Sequence, residues 1–325
     1  MSRICIIGAG RMGKAHAQRL GKIEGVQIAG ICDVVPESAR TLAEATGARP
    51  YVDCEEMLKR ERPDAVWICS PANRHSEHVR LALKYKIPFF LEKPVAVDLE
   101  EARVVRDEVL SSGLLHSVGY MSRYLDIVGK LRELLEGEAL AMVHIRVFWT
   151  IPVVDSIKSK EVAGGQVVDQ ATHFVDLARY LVGEVETVYS RRIRGLFPEE
   201  PLYTGDDASA TVLAFRNGVV GNLICTYALF PEVTREYPFQ MLFICKRKLI
   251  EYTAGKMVRV ISPQGTEEFP SSQDGLELED RAFVEALRTG NPSGICSDYG
   301  DAFRTLEVTL AANRSMETGE VVKLI

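Results

Sequence analysis

Arg3-Ile4-Cys5-Ile6-Ile7-Gly8-Ala9-Gly10-Arg11-Met12-Gly13 is the stretch whose reading decides the fold. A continuous apolar run suits a strand buried on both faces of a parallel sheet, and glycines at G-x-G-x-x-G spacing follow it at once. Gly8 permits a tight turn off the strand, Gly10 lets backbone come close to a pyrophosphate, and Gly13 lets the next helix pack on the strand. A helical stretch, Lys14 to Leu20, comes next, and a second apolar run, Val26 to Cys32, ends at Asp33, twenty positions beyond Gly13. A glycine turn alone is a common βα corner. With a strand before it, a helix after it and an acid at that distance, it reads as a dinucleotide site. Arg11 and Met12 belong to its turn, and the pyrophosphate is expected at the helix N-terminus, where unpaired N–H groups and the helix dipole favour anions.

Asp33 bears on the choice of cofactor. Its carboxylate can accept hydrogen bonds from both ribose hydroxyls of NAD and would repel the 2′-phosphate of NADP. Val34-Val35-Pro36 supply no cation to bind that phosphate, so NAD is expected over NADP; Arg11 and Arg40 are the cations that would weaken the preference.

Composition narrows the class. The 325 residues suit one large or two ordinary domains, and 46% hydrophobic residues are enough for real cores. A formal charge of −6 and a pI near 5.7 give no basic field to gather nucleic acid or an anionic membrane surface. Seven cysteines are scattered, with no C-x-x-C and no Cys/His pair at zinc-site spacing, so neither a metal nor a disulfide framework is expected. That usage points to a reducing, cytoplasmic compartment. The first strand begins at once and no apolar run nears membrane length, so neither signal peptide nor transmembrane helix is expected.

From residue 3 to about 119, apolar runs at 3–7, 26–32, 64–69, 87–91 and 115–118 alternate with helical patterns, which predicts a doubly wound parallel sheet. Pro36 and Gly47 bracket one helix, and Asp53 with Glu56 and Asp98 with Glu101 have capping-box spacing. After residue 120 strands follow one another from 141–149 to 257–261, interrupted by a helix at 168–182 and closed by helices at 277–289 and 299–316. The expected division is a dinucleotide-binding domain over 1–120 and an α+β domain over 121–325 with a large, mostly antiparallel open-faced sheet. The closing helix is a candidate to pack back on the first domain. One face of that sheet is a candidate contact for a homodimer or homotetramer.

Three further segments carry chemistry. Ser70-Pro71-Ala72-Asn73-Arg74-His75 and Glu92-Lys93-Pro94 lie beyond the carboxyl ends of predicted parallel strands, where ligands of open α/β sheets bind. Ser70, Pro71, Asn73, His75, Glu92 and Lys93 are therefore candidate cofactor contacts, and Lys93 can also reach substrate. The third segment runs from Gly164-Gly165 to Leu177. Its Asp169 and His173 are four apart, which on one continuous helix puts carboxylate and imidazole on a common face.

GAGRMG, SPANRH, EKP, GYMSRY at 119–124 and GG followed by D-x-x-x-H together resemble the glucose-fructose oxidoreductase and inositol dehydrogenase family over essentially the whole chain. The resemblance implies a Rossmann domain binding NAD(H) or NADP(H) and a substrate held against a C-terminal open-faced sheet. It also implies that Lys93 contacts the substrate oxygen and nicotinamide region and that Asp169 and His173 are the helix acid and the usual acid/base. Ala163 stands where the motif often has a third glycine, and the segment Phe243 to Lys248 lacks the glycine turn common in members.

The chemistry expected is hydride transfer between a secondary hydroxyl of a sugar, cyclic polyol or sugar derivative and nicotinamide. His173 handles the hydroxyl proton, Lys93 stabilises the developing alkoxide, and Asp169 holds a substrate hydroxyl or tunes the other two. Tyr120, Arg123, Trp149 and Tyr227 are candidate pocket residues; Arg123 either binds an acidic substrate or structures its loop, and the aromatics either line the pocket or pack in the core. Two alternatives share the fold: NAD-assisted glycoside cleavage or aldose-aldose exchange without net redox change, and a non-catalytic nucleotide-sensing regulator.

Overall fold

The computed structural model describes residues 1–234 and 236–324. In chain order its first elements are β1 (Ser2–Ile7), α1 (Arg11–Leu20), β2 (Val26–Cys32), α2 (Pro36–Thr46), β3 (Arg49–Tyr51), α3 (Cys54–Glu61), β4 (Ala65–Ile68), α4 (His75–Lys84), β5 (Phe89–Leu91), α5 (Leu99–Ser112) and β6 (His116–Val118). There follow α6 (Asp126–Leu135), β7 (Leu140–Phe148), α7 (Asp155–Lys158), α8 (Lys160–Ala163), α9 (Gln166–Asp169), α10 (Thr172–Val182), β8 (Val185–Ile193), β9 (Ala208–Phe215) and β10 (Val220–Thr226). Last come β11 (Gln240–Cys245), β12 (Leu249–Thr253), β13 (Met257–Ser262), β14 (Gly265–Pro270), α11 (Gly275–Thr289), α12 (Tyr299–Thr318) and β15 (Val322–Lys323).

The first six strands form one all-parallel sheet in the order β3-β2-β1-β4-β5-β6. Helices cover both faces of such a sheet, so its strands must be apolar on both sides, and every residue of β4 and β5 is buried. The winding reverses between β1 and β4, which opens a crevice beyond their carboxyl ends. Helix starts follow the residues read from sequence: Asp53 accepts from Glu56 N–H and Asp98 from Glu101 N–H, each at 2.8 Å.

The chain divides into two compact units, and their bounds correct the single cut at residue 120. Unit one is Met1–Met121 together with Asp274–Phe303; unit two is Ser122–Gln273 together with Arg304–Ile325. The returning piece carries α11, which lies against α1 and places Phe283 and Val284 in the core of the parallel-sheet unit among Ile4, Ile6, Trp67 and Phe90. Phe283 meets the Trp67 ring edge-on at 5.2 Å, and Trp67 Nε1–H donates to Asp280 at 2.8 Å. Full burial of a side chain such as Phe283 contributes roughly 1.5–3 kcal/mol, so α11 is a structural part of this unit.

Unit two holds a nine-stranded sheet in the order β14-β13-β12-β11-β7-β10-β9-β8-β15. Its pairs are antiparallel except β7 with β10, which run parallel. Burial alternates along the central strands, as expected of a sheet with one packed face and one open face.

A candidate dinucleotide and substrate site

The glycine turn leaves β1 through Gly8 at φ +98°, and a Cβ there would lie 2.6 Å from the backbone of Cys69. A Cβ on Gly13 would stand 1.9 Å from the Gly8 carbonyl oxygen, so α1 approaches β1 only because that residue is glycine. Gly10 differs: a Cβ there would meet nothing within 4 Å. Open space at that position, at an N-terminus of α1 that no side chain caps, is the room a pyrophosphate requires. Asp33 is tied to the same turn, its carboxylate accepting from Ala9 N–H at 2.7 Å and Val35 N–H at 2.9 Å. Arg11 is exposed and Met12 half-buried in the first turn of α1.

Ser70, Pro71 and Asn73 follow β4, with Pro71 and Asn73 exposed. His75, by contrast, is 1% exposed, with Nδ1 at 2.7 Å from the Pro94 carbonyl and Nε2 at 2.8 Å from the Ser70 carbonyl. Burial lowers its pKa to about 4, so the ring is neutral and donates to one carbonyl at a time. His75 braces the turn after β4 against the cis Lys93–Pro94 peptide, which corrects its reading as a cofactor contact.

Glu92 is likewise turned inward. Its Oε1 lies 2.8 Å from His16 Nε2, while His16 Nδ1 lies 2.8 Å from Asp280, all three groups being buried. Burial works against the His16 cation, but Asp280 and Glu92 outweigh it and hold its pKa well above the usual value. Glu279, on α11, is 0% exposed, and neither carboxylate oxygen has a hydrogen-bond partner. Burial, then the charge of Glu92, pushes its pKa well up, so it is held as the neutral acid. His16, Glu92 and Glu279 offer ligand atoms within 4.8 Å of one another. Both ring nitrogens of His16 already face carboxylates, Glu92 on one side and Asp280 on the other. Lys93, next along the chain, is half-exposed at the end of β5, and Tyr120, 1% exposed, is a core residue of unit one.

In unit two Gly164 (φ +81°) and Gly165 (φ +84°) make a left-handed turn, and a Cβ on Gly164 would sit 2.5 Å from a Val168 methyl. Buried Asn313 of α12 fixes the turn, its Nδ2 donating to the Gly164 carbonyl at 2.8 Å. The helix expected at 168–182 is broken: Asp169 ends α9 and His173 is the second residue of α10. The two are presented from a junction, both half-exposed. Beside His173, Phe174 packs edge-on to Phe239, which packs against Trp149, itself 40% exposed. Phe239 carries no sequence signal, since only the tertiary fold brings it to Trp149.

Tyr227 is buried against Tyr203, and burial followed by the nearby Asp169 charge pushes its pKa well up; it stays a neutral hydroxyl next to that carboxylate. Arg123 is buried and donates through Nε and Nη2 to Asp176 at 2.7 and 2.6 Å, with its guanidinium over the Tyr180 ring. Of its two expected roles, structuring the loop is the one this geometry satisfies.

Residues 2–120 match an oxidoreductase family with an NAD-binding Rossmann fold, and residues 129–239 match the GFO/IDH/MocA C-terminal domain. The chain belongs to the GFO/IDH/MocA oxidoreductase family. A myo-inositol 2-dehydrogenase of Thermotoga maritima is 32% identical over 223 residues, 67% of this chain and 66%, just under two thirds, of that relative. A scyllo-inositol 2-dehydrogenase (NAD(+)) of Bacillus subtilis is 26% identical over 99% of this chain and 96% of its own. An Agrobacterium radiobacter oxidoreductase solved with NAD+, L-tartaric acid and magnesium superposes with a TM-score of 0.87 over 99% of this chain and 98% of its own; at 19% identity it shows the shared fold. The resemblance, fold class and NAD cofactor expected from sequence are those of this GFO/IDH/MocA protein. The cradle fits NAD: Gly10 leaves open space that the protein does not fill, beside an uncapped helix end. Among the described residues, no GFO/IDH/MocA helix of this chain is long and apolar enough to cross a membrane.

Proposed function

We propose that this chain is an NAD-dependent dehydrogenase acting on a secondary hydroxyl of a sugar, cyclic polyol or sugar derivative. The observation that carries the reading is the Gly164–Gly165 turn, which presents a half-exposed carboxylate and imidazole, Asp169 and His173, alongside the aromatic row Phe174, Phe239 and Trp149. Polyols offer hydroxyls to the first pair and C–H faces to the second. The relatives that are inositol dehydrogenases support the substrate class.

NAD, when bound, supplies the hydride acceptor. Gly8, Gly10, Arg11, Met12 and Gly13 hold its pyrophosphate through backbone, Asp33 orients its ribose, and Ser70, Pro71 and Asn73 border it from the end of β4. His173 removes the hydroxyl proton during oxidation and returns it in reduction. Lys93 stabilises negative charge developing on that oxygen and orients it, and Asp169 accepts a hydrogen bond from a substrate hydroxyl. Tyr227 contributes by setting the environment of Asp169. The seven cysteines are free thiols, which supports a reducing, cytoplasmic setting.

A panel of inositols and glucosides, with NADH formation as readout, tests the reaction. His173→Ala and Lys93→Met are each expected to lower kcat by roughly 10²–10⁴-fold while NAD affinity stays within a few-fold. Normal turnover in both variants would sink the assignment, and turnover without NADH release would replace it with chemistry that has no net redox change.

We also propose that the open sheet face pairs with a second copy of this chain. Met142, Val212, Val220, Ile224 and Ile244 stand on it, each at least 36% exposed, and the pairing register sets Ile244, Met142 and Val220 in one row across three strands.

A further inference from the structure

Two thiols lie where the cofactor-binding turn is built, and neither takes part in the reaction proposed above. Cys32 is the last residue of β2, buried, and directly precedes Asp33; Cys54 is the first residue of α3 and is partly exposed. Their sulfurs are 3.2 Å apart. On the far side of Cys54, His78 Nε2 lies 3.8 Å from its sulfur, and His78 Nδ1 is 2.8 Å from Ser70 Oγ, which fixes the ring. We propose that Cys54 and Cys32 are a peroxide-reactive thiol pair that closes to a disulfide and thereby lowers the affinity of the glycine turn for NAD.

Four features make Cys54 the attacking sulfur. It sits at the first position of an eight-residue helix, where the helix dipole favours an anion. Cys32 S–H can donate to it, His78 faces it, and it is the more exposed of the pair. Cys32 at the end of β2, His78 from α4 and Asp53 from its own cap act on it, and Asp33 acts on Cys32. The donors prevail. With the Cys32 hydrogen bond foremost and His78 next, the Cys54 pKa is lowered to about 6, while the Cys32 thiol is pushed up. At neutral pH the pair therefore holds one thiolate and one thiol.

The chemistry balances without a metal. The Cys54 thiolate attacks one peroxide oxygen; an S–O bond forms as the O–O bond breaks, and the departing oxygen takes a proton and leaves as water. The Cys32 sulfur then attacks Cys54 Sγ, an S–S bond forms, the S–O bond breaks, and the Cys32 proton leaves with the oxygen as a second water. Two thiols lose two electrons in all and one peroxide gains them. Closing the sulfurs to a bond of about 2.05 Å needs a movement of about 1 Å.

That movement bears on cofactor binding through the backbone. The Cys32 carbonyl accepts the Gly8 N–H at 2.8 Å, and the next residue, Asp33, accepts the Ala9 N–H. A pull on Cys32 toward α3 displaces both anchors of the glycine turn. Linkage makes the effect reciprocal, so bound NAD should slow closure of the disulfide.

The test treats the intact protein with hydrogen peroxide and follows intact mass, free-thiol count and NAD affinity by calorimetry. The expected product has free thiols reduced from seven to five, a Cys32–Cys54 crosslink on peptide mapping, an NAD affinity weaker by about fivefold or more, and full reversal by dithiothreitol. The rate of thiol loss should rise with pH around a midpoint near 6. Cys54→Ser should abolish it, and Cys32→Ser should let Cys54 stop at the sulfenic acid, trapped by dimedone. Reaction first at another cysteine, or no 32–54 crosslink, overturns the proposed pair. A mapped crosslink with unchanged NAD affinity overturns its link to the cofactor.

Discussion

Asp33 engages both carboxylate oxygens with backbone, one in the glycine turn and one two residues along its own chain. It is therefore part of the turn as well as a candidate ribose ligand, and the two roles make its removal costly. Losing hydrogen bonds to a charged acceptor costs about 1.5–3 kcal/mol, which corresponds to NAD binding weakened by roughly 10–100-fold in Asp33→Ala. NADP binding should fall less, because the same change removes repulsion of the 2′-phosphate; parallel titrations with both nucleotides check this, and an equal loss for the two would show Asp33 to be purely structural. From sequence, the acid and its distance from Gly13 were legible. The inward turns of His75 and Glu92 were not, because a motif gives a residue's position in the chain and not the side on which its carbonyl or carboxylate partners lie.

Glu279 gives a second residue-level test. Its folded-state pKa is raised above the ordinary 4.5, so the folded protein binds a proton the unfolded chain gives up, and its contribution to stability falls as pH rises past that value. His16, raised above 6.5, acts in the same direction: its stabilising charge is complete below 6.5 and is lost as pH climbs through the raised value. Thermal melting temperatures should consequently decline from pH 5 to pH 8. Glu279→Gln, which keeps shape without an ionisable proton, should flatten that decline, and an unchanged slope would remove Glu279 as its source.

Among elements, the junction of α9 and α10 carries the most consequence. Apolar periodicity runs straight through 168–182, and Gln170-Ala171 contains neither glycine nor proline to signal a break. Ahead of α9 the left-handed Gly164–Gly165 turn is tethered to Asn313, a residue of α12 far along the sequence. Gly164→Ala puts a Cβ into Val168 at a positive φ, and a cost of order 1–3 kcal/mol is expected for the strain. A lowered melting temperature together with a reduced kcat would follow, since the turn positions Asp169. Short strands were missed for a simpler reason: β3 has three residues and β15 two, too few for a period to register. The long apolar runs of β1, β2 and β4 and the capped starts of α3 and α5 were legible because each residue there answers a local physical demand.

At the scale of the molecule, the open sheet face is the feature that composition could suggest and only register could place. Ile224→Asp should lower the mass measured by light scattering to that of a monomer if this face joins two copies, with NAD binding intact; an unchanged mass would locate the contact elsewhere. The division into units is the other such feature. No shift in composition marks Asp274, so the return of α11 to the parallel sheet was beyond a reading of the chain in order. It has a consequence for biosynthesis. Chains emerge N-terminus first and domains generally fold as they appear, yet the first unit to be translated lacks Phe283, Val284 and Asp280 until the second sheet has already left the ribosome. Trp67 and Phe90 must wait through most of translation for their covering.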